Sequence, residues 1–565
     1  SSFILFSASA CARALVPAPS RSMARGRAGA AAMLAAALLV LCVGTSRGFL
    51  LGIDLGSQYF KAAVVAPGKP FEVVHNQHSK RKTPSAVSFA EKVRSFGDDA
   101  LANAARGLRK TPMFFASQLG RNMTGVSEEG RGWLPVHFYP YSLGVNDSGA
   151  LKFNCDETAG YSVEEVTAHL FAFAKGLASN TVESFSVSES LVTVPSSARF
   201  AQRRALIDAA RIAQLPRARL AHETSVAALQ RALDLDFSGA NVTQNYSITL
   251  YYNMGARHAE ACVVRYDAAE HMAKPTVAMD VLGCGTTADL GGHQVDLLIA
   301  QKMLAAFQAK HPKLSDIDKS IRALKKLEKE AMSLKHVLSA NKEALFRVES
   351  LYEDTDFAQQ VTRETLEEWC AEMFSSFSKP IAEALDTAKV ALDAIDTVEM
   401  VGGGWRIPKI QSLLSDYLAA NRPTAMPALN LSQHVNGDEA MATGAAFLGA
   451  NLSANFRTKR IYYSDYTRHH YDLLLEPLNA SQAGANATWS KFIELYAAGS
   501  SLGARKTVKV TVPFDLRATL FEDGDRVLVW ALEGTHEATT GTYKDLEQPL
   551  VSLKFDLDLS GIVQL

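Results

Sequence analysis

The chain has 565 residues, of which 47% are hydrophobic, and a formal net charge of −1 at pH 7. Its length allows roughly three or four domain-sized units with large cores. The balanced charge argues against a nucleic-acid-binding protein, which would carry a strong positive excess. We therefore expect a globular chain whose function depends on particular motifs rather than on its overall charge.

The first 48 residues have the pattern of a leader. The apolar run 28–44 follows Met23, Arg25 and Arg27 and ends at small polar residues. This order is typical of a cleaved signal peptide, whereas a transmembrane anchor needs about 20 undiluted apolar residues. We predict a signal peptide at 23–48 and no stable membrane insertion after its cleavage. Residues 1–22 precede the first Met, and we interpret them as a non-native or untranslated leader.

Sequons for N-glycosylation are frequent in this chain. Eight of its 17 Asn residues are followed by x-Ser/Thr, whereas chance would give about two or three. This excess favours a glycosylated protein of the secretory pathway. The eight positions are Asn122, Asn146, Asn241, Asn245, Asn430, Asn451, Asn479 and Asn486.

Four cysteines follow the leader: Cys155, Cys262, Cys284 and Cys370. None lies in a CxxC pair or at the spacing of a zinc site, so thiol–disulfide exchange and structural zinc are disfavoured. One or two disulfides stay possible, and the sequence alone does not pair them.

Residues 49–455 alternate between short apolar strands and amphipathic helices, which predicts an α/β domain. One helix is predicted to begin at a capping box formed by Ser162 and Glu165, and another at about Ser315. Strands are predicted at 50–55, 60–66, 191–195, 247–253, 261–266 and 397–402.

After residue 455, apolar residues alternate with polar ones, as at Val551, Leu553 and Phe555. This period of two predicts β-strands, and Asp523–Gly524 is typical of a tight hairpin. We therefore predict an antiparallel β-sandwich at 467–565, joined to the α/β domain by a linker at 456–466.

Two glycine turns almost 350 residues apart are the strongest signal for a ligand. They are 52-GIDLGSQYFK-61 and 401-VGGGWRIPKIQ-411, and each follows an apolar strand. Glycine lets the backbone come close to a ligand, so that amide N–H groups converge on phosphate. Together the two turns predict a nucleotide held between two lobes.

These turns, with 193-TVP-195 and 436-NGDEAMATGAA-446, closely resemble the heat-shock-seventy chaperone superfamily. The signal peptide, the sequons and 335-KHVLSAN-341 narrow the resemblance to its large lumenal branch, the hypoxia up-regulated or glucose-regulated relatives of the heat-shock-one-ten proteins. The resemblance implies an actin-like two-lobed nucleotide-binding domain at 49–455, followed by a β-sandwich that binds substrate. The helical lid expected of the family is absent from this sequence, which we interpret as truncated before it.

By this resemblance, the cleft holds ATP or ADP with Mg²⁺. Asp54 ends an apolar strand at a glycine turn, where its carboxylate can reach Mg²⁺ through water. On the adenosine side, His336 and Met332 replace a usual arginine and glutamate. The matched residues are Gly56, Ser57, Gln58 and Tyr59 around the phosphates, and Gly402, Gly403, Gly404, Arg406, Asp438, Lys335 and Ser339 around adenosine.

The hydrolytic centre departs most from the family pattern. Where the family has an aspartate-leucine-triple-glycine-threonine turn, this chain reads 253-NMGARHAE-260. The amide of Asn253 carries no charge and is a poor base. Gly255 is retained, and we expect its N–H to remain available to a phosphate. Glu223 matches an acidic residue near the metal.

The lysine that the family uses in catalysis is missing from 113–121, where the alignment places Ala116 or Ser117. Losing a positioned donor of this kind lowers the rate on the order of 10² to 10³-fold. Arg121 or Arg257 are the residues that would partly compensate. We predict at most a weak ATPase and assign no catalytic residue.

The resemblance implies an ATP-binding chaperone of the endoplasmic reticulum lumen. It would act as nucleotide-exchange factor for the conventional lumenal heat-shock-seventy chaperone and as holdase for unfolded polypeptides. One alternative is a conventional ATP-hydrolysing foldase, which Asn253 and the missing lysine argue against. Others are an actin-fold metabolic kinase, disfavoured by the sandwich, and a pseudo-chaperone that binds no nucleotide. The terminal GIVQL is not a retrieval signal, so residence in this compartment follows from the family and the sequons.

Overall fold

The computed structural model describes residues 48–565, except 122–137, 140, 148, 156–159, 184, 238–244, 289, 542–543 and 545–548. The predicted leader and signal peptide, apart from Gly48, lie outside the described residues, as do the sequons at Asn122 and Asn241. In the described part, no helix combines the length and the apolar character that crossing a membrane requires.

The first lobe is built on a mixed sheet. Its central strand Gly48–Leu55 is antiparallel to Tyr59–Val65 and parallel to Ser186–Val194. The central strand is buried along almost its whole length because structure covers both faces of the sheet. In spatial order the strands are Ala218–His222, Ser186–Val194, Gly48–Leu55, Tyr59–Val65 and Glu72–Val73, with Thr83–Pro84 also paired to Tyr59–Val65.

Helix Val163–Thr181 starts at the predicted capping box. The Ser162 hydroxyl accepts from the N–H of Glu165, and the Glu165 carboxylate accepts from the N–H of Ser162. Val166 and Leu170 on its apolar face lie in the core beneath the sheet. This prediction is confirmed. The other α-helices in the described residues up to 232 are Gly97–Gly107, Phe200–Ile212 and Glu223–Ala232, and the short strands there include Val87–Ser88, Ser95–Phe96, Leu143–Val145, Leu151–Asn154 and Gly160–Ser162.

The second lobe contains a six-stranded sheet. Tyr246–Met254 is antiparallel to Ala259–His271 and parallel to Thr397–Gly402. The sequence did not predict the long strand Lys274–Thr287, in which several polar residues interrupt the apolar pattern. In spatial order the strands are Leu431–Ser432, Thr397–Gly402, Tyr246–Met254, Ala259–His271, Lys274–Thr287 and Ile461–Ser464.

A disulfide joins two neighbouring strands of this sheet. Cys262 and Cys284 lie directly opposite each other and are bonded. Both side chains are buried, as are those of Cys155 and Cys370, which are not disulfide-bonded. One of the pairings that the sequence left open is therefore present.

The helix predicted from about Ser315 begins later, at Ile321. Residues Pro312–Lys319 form a 3-10 segment, and Ser320 then caps helix Ile321–Ala340 by accepting from the N–H of Ala323. The helical spacing of apolar residues continued across this break, which is why the boundary was wrong. Other elements of the lobe are helices Gly292–Lys310, Arg363–Trp369, Ala371–Phe374, Lys379–Ala388 and Pro408–Ala420, and the strand pair Glu343–Tyr352 and Thr355–Thr362. Helix Ala440–Leu452 instead packs on the sheet of the first lobe through Ala442 and Ala446.

The C-terminal part is a sandwich of two antiparallel sheets, as predicted. Leu473, Leu516 and Phe555 from the two sheets share one core. The hairpin at Asp523–Gly524 has positive φ at both residues, as a tight turn between strands requires. One sheet is Lys491–Tyr496, Tyr471–Pro477, Leu516–Glu522 and Asp525–Leu532; the other is Arg505–Thr511, Leu550–Leu557 and Val563–Gln564; helices Ala480–Ala483 and Thr535–Thr540 are short.

The segment predicted as a linker is part of the second lobe. Ile461–Ser464 forms the edge strand of the six-stranded sheet, parallel to Lys274–Thr287. The next residue, Asp465, is 3% exposed. The chain therefore enters the sandwich from a fixed position rather than from a free connector.

A buried polar junction connects the first lobe, Asp465 and the sandwich. Arg203 donates to His222 Nε2 at 2.8 Å and to the carbonyl oxygen of Ser560 at 3.0 Å. His222 Nδ1 lies 3.0 Å from Asp465 Oδ2, which also accepts from the Tyr463 hydroxyl. Burial alone would raise the pKa of Asp465, but its bonds to His222 and Tyr463 hold that pKa below its usual value.

We expect Asp465→Asn to loosen the sandwich from the first lobe. The buried His222 loses its carboxylate partner, which destabilises the protein by about 1–3 kcal/mol. Hydrogen exchange at the amide of Leu220, which donates to Ser560 Oγ, should become faster. Asp267→Asn removes the partly exposed pair with Arg265, which is remote from the junction, and should leave this exchange unchanged. Equal exchange rates in the two variants would contradict the role of the junction.

Candidate functional site: a cleft between the two lobes

A cleft of about 1220 Å³ lies between the lobes. The two glycine turns that are separated by almost 350 residues in sequence meet in it. All residues predicted to surround a nucleotide line this cleft: Asp54, Gly56, Ser57, Gln58, Tyr59, Glu223, Asn253, Gly255, Lys335, Ser339, Gly402, Gly403, Gly404, Arg406 and Asp438. Their roles toward the nucleotide remain predictions.

The first glycine turn is held from both sides. The N–H of Leu55 donates to Thr193 Oγ1 at 3.2 Å, and the Ser85 hydroxyl donates to the carbonyl oxygen of Gly56 at 2.7 Å. A Cβ at Gly56 would lie 2.4 Å from the carbonyl oxygen of Tyr59, so only glycine fits this tight turn. The turn is thus fixed before any ligand arrives.

Asp54 is paired with a lysine that the sequence analysis did not identify. Lys61 lies opposite Asp54 in the antiparallel register, and its Nζ is 2.6 Å from Asp54 Oδ2. Burial lowers the pKa of Lys61, but Asp54 outweighs this effect and the pKa is raised. The signal was available, because Lys61 is the single charged residue of the strand Tyr59–Val65.

The second glycine turn packs against the turn after Met254. Gly402 has φ +79°, and a Cβ there would lie 2.4 Å from the carbonyl oxygen of Met254. A Cβ at Gly404 would lie 2.8 Å from the carbonyl oxygen of Gly255. The N–H of Gly255 donates to the carbonyl oxygen of His258 at 3.0 Å. It is therefore engaged within its own turn, contrary to the expectation that it would be available to a phosphate.

The helix predicted to meet adenosine presents Lys335 and Ser339 to the cleft. Lys335 Nζ lies 2.8 Å from Asp296 Oδ1 and donates to the carbonyl oxygen of Gly292 at 2.9 Å. Burial raises the pKa of Asp296 to about 6, although the Lys335 ammonium opposes this. Ser339 donates to the carbonyl oxygen of Lys335. Lys335 is therefore held in place by a buried carboxylate.

Other contacts connect elements that are distant in sequence across the cleft. Arg406 Nη1 lies 3.1 Å from Asp438 Oδ2, and Lys82 Nζ approaches the same oxygen at 3.5 Å. The amide of Gln58 lies 3.6 Å from the sulfur of Met332, the residue that replaces a usual glutamate. The contact between Gln58 and Met332 links the phosphate side to the adenosine side.

The carboxylates near the hydrolytic centre have partners. Glu223 Oε2 lies 3.5 Å from His258 Nε2, where the family has a threonine. Burial raises the pKa of Glu223. For His258, burial alone would lower the pKa, but the nearby carboxylates outweigh burial and the pKa of His258 is raised. Glu260 accepts from the N–H and hydroxyl of Ser196 and from Thr224 Oγ1. Asn253 is 2% exposed and has no charge to offer as a base.

A cation that could replace the missing lysine is not found where it was expected. Among the described residues that line the cleft, none comes from 113–121, and neither Arg121 nor Arg257 is present. Within the described chain, no cluster of three or more His, Cys, Asp or Glu side chains is placed to hold a metal directly. Asp54, already paired with Lys61, fits a water-mediated contact to Mg²⁺ better than a direct one.

Met113 and Phe114, at the start of 113–121, share a core with the second lobe, whereas Phe115 and Leu119 lie in the core of the first lobe. Phe114 stacks on His293 with ring centroids 3.9 Å apart. The Tyr139 hydroxyl bonds to His293 Nε2 at 2.9 Å and to the carboxylate of Glu328. Lys325 pairs with Glu328 and lies 3.7 Å from the centroid of the Tyr139 ring. This cluster holds the two lobes together beside the cleft.

We expect Tyr139→Phe to destabilise the protein by about 1–3 kcal/mol, because His293 and Glu328 lose a buried partner. Urea unfolding followed by fluorescence measures this difference. Tyr462→Phe is the matched control, since its hydroxyl bonds to His271 at the surface, and its effect should stay within about 0.5 kcal/mol. Equal stabilities of the two variants would show that the cluster contributes nothing.

Comparison with known proteins agrees with this geometry. Residues 50–565 match the sequence family described as Hsp70 protein. The chain belongs to the Hsp70 family. The match includes the sandwich as well as the cleft, and it confirms the predicted fold class of an actin-like α/β domain followed by a β domain.

Three relatives of this chain carry the same name. The chain is 32% identical over 423 residues to Hypoxia up-regulated protein 1 of Xenopus laevis, which covers 74% of this chain and 62% of that protein. The mouse protein of the same name is 32% identical over 425 residues, covering 74% and 40%. The Cricetulus griseus protein is 29% identical over 546 residues, covering 91% and 52%. The chain thus spans less than two thirds of these relatives, and the predicted resemblance to this branch is confirmed.

Proposed function

We propose that this chain is an ATP-binding chaperone of the endoplasmic reticulum lumen. It acts as a nucleotide-exchange factor for the conventional lumenal Hsp70 and as a holdase for unfolded polypeptides. One observation carries the proposal: both glycine turns are present in the cleft, while Asn253 and the paired carboxylates replace the hydrolytic set. Such a cleft favours binding over turnover.

The cleft suits a nucleotide because a glycine turn lies at each of its ends. At Gly56 and Gly404 a Cβ would collide with backbone oxygens, so glycine allows these turns to pack tightly beside the cleft. Gly56 to Tyr59 would hold the phosphates, and Lys335 and Ser339 would orient the ribose. When bound, Mg²⁺ would neutralise charge on the β- and γ-phosphates.

Exchange activity requires only that ATP binds one lobe arrangement more tightly than the other. A ligand with such a preference shifts the population toward that arrangement. The ATP-loaded lobes would then bind the matching domain of the conventional lumenal Hsp70 in its ADP-releasing state. The buried junction from Arg203 to Ser560 supports transmission of that state to the sandwich.

The sandwich supports a role in holding unfolded chains. Lys491–Tyr496 lies at the edge of its sheet, and Phe492 on this strand is 64% exposed. Leu550 on the other sheet is 61% exposed. An extended apolar segment can add to such an edge through main-chain hydrogen bonds.

The location in the lumen is supported by the disulfide and by exposed sequons. A buried Cys262–Cys284 bond is typical of an oxidising compartment. Asn451 is an unsuitable acceptor, because it is buried and its amide bonds to the backbone of Ile461. The exposed sequons among the described residues are Asn245, Asn430, Asn479 and Asn486.

Calorimetric titration with ATP and ADP, run beside an assay of ADP release from the conventional lumenal Hsp70, tests the proposal. We expect binding of both nucleotides, faster ADP release, and steady-state hydrolysis close to background. Absence of binding would overturn the mechanism and favour the pseudo-chaperone. Binding without faster release would leave a holdase, and clear turnover would restore the foldase. The kinase alternative requires transfer of phosphate to a small molecule, which the same preparation can be tested for.

Gly403 offers a way to block the cleft without disturbing the fold. Its φ of −108° suits any residue, and a Cβ there would find no atom closer than Asp438 Oδ1 at 3.9 Å. We expect Gly403→Leu to weaken ATP and ADP binding at least about tenfold, or ~1.4 kcal/mol. Gly176→Leu, at an exposed helical position with open space around it, should leave the affinity unchanged. Unchanged affinity in Gly403→Leu would place the nucleotide elsewhere.

A further inference from the structure

Lys61 places a positive charge at the phosphate end of the cleft. Its side chain is 13% exposed and lines the cleft, and its Nζ lies 2.6 Å from Asp54 Oδ2. A Cβ at Gly56 would lie 3.9 Å from this Nζ. The ammonium is therefore next to the turn that is predicted to surround the β- and γ-phosphates.

The chemistry of the pair favours an anion beside it. An ammonium has three N–H donors, and Asp54 Oδ2 accepts one of them. Asp54 alone would repel phosphate unless a metal ion shielded it. The Asp54–Lys61 pair has no net charge, and the Lys61 ammonium can donate to a phosphate oxygen.

Lys61 also offers a positive charge of the kind that the missing family lysine would provide. No lysine comes from 113–121, and none of these residues lines the cleft in the described structure. Arg406 and Lys335 are both at the adenosine side and are paired with Asp438 and Asp296. Three further cations that line the cleft, Lys80, Arg81 and Lys82, are paired with Asp98, Glu439 and Asp438. Lys61 is the cation that the fold brings to the first glycine turn from the adjacent strand.

We propose that Lys61 binds the terminal phosphate of the nucleotide, in place of the missing lysine, and makes nucleotide affinity less dependent on Mg²⁺. This inference rests on the proposed function, because it assumes that a nucleoside di- or triphosphate enters the cleft. It assigns Lys61 a binding role beyond that of a partner for Asp54.

Two variants separate the binding role from the pairing role. Asp54→Asn removes the carboxylate and keeps the ammonium, whereas the double variant Asp54→Asn with Lys61→Met removes both charges and leaves no unpaired buried ion. Lys69→Met is the control, since Lys69 is an exposed lysine just beyond the same strand. Thermal unfolding of each protein verifies that it is folded.

Calorimetric titrations with ATP in EDTA and in Mg²⁺, and with adenosine, measure the effect. In EDTA we expect Asp54→Asn to bind ATP at least as tightly as the wild type, and the double variant at least about tenfold more weakly, because a charge-assisted hydrogen bond is lost. Adding Mg²⁺ should improve ATP binding more in the double variant than in the wild type. Adenosine affinity should be equal in all four proteins.

Each of the other outcomes decides against the role of Lys61, against the proposed function, or against both. Equal ATP affinity of Asp54→Asn and the double variant in EDTA would overturn the role of Lys61, while wild-type binding would still support the proposed function. If Asp54→Asn does not fold, the same tenfold difference is sought between the wild type and the double variant. If the wild type binds adenosine but not ATP, the role of Lys61 is overturned. If it binds neither, the proposed function fails as well.

Discussion

Burial of charge between the two lobes is the constraint on which the cleft depends. A carboxylate removed from water must be paired or hydrogen-bonded, or it is strongly destabilising. At the phosphate end, Asp54 is paired with Lys61 and Glu223 with His258, while Glu260 is held by hydroxyl and backbone donors. These partners stabilise the apo protein, and they also occupy the acids that could otherwise bind metal or activate water. The same interactions that let the cleft fold are those on which the proposal of binding without efficient turnover rests.

The constraint extends to the sandwich through adjacent residues. His222 ends the strand Ala218–His222 and takes part in the junction with Asp465, whereas the next residue, Glu223, begins a helix and faces the cleft. Ser196 has a similar double position, because its hydroxyl donates to Glu260 and its carbonyl oxygen accepts from Arg203 at 3.4 Å. Groups at the phosphate end are therefore separated by only one or two residues from groups that contact the sandwich. This proximity gives a physical route by which nucleotide could alter how the sandwich is held.

Local patterns in the sequence were sufficient for much of the fold. The capping box at Ser162 and the Asp523–Gly524 turn are determined by neighbouring residues, and both are present. The start of the helix at Ile321 was missed because the apolar spacing of the 3-10 segment before it resembles a helix. The pairing of Asp54 with Lys61 depends on strand register, and that of Glu223 with His258 on the approach of two lobes. Motif matching located these acids but did not reveal their partners.

The segment 113–121 contributes a contact between the lobes where the family resemblance implies a catalytic lysine. In the resemblance to the family, this segment supplies a lysine to the phosphates; here Phe114 stacks on His293 of the second lobe. Apolar and aromatic contacts of this kind resist separation of the lobes, whereas a lysine directed at the phosphates would promote chemistry. An ATPase must reopen after every turnover, so a strong contact between lobes would slow its cycle. A protein whose activity is to remain bound in one lobe arrangement gains from the same contact, because less of the nucleotide's binding free energy is needed to maintain that arrangement.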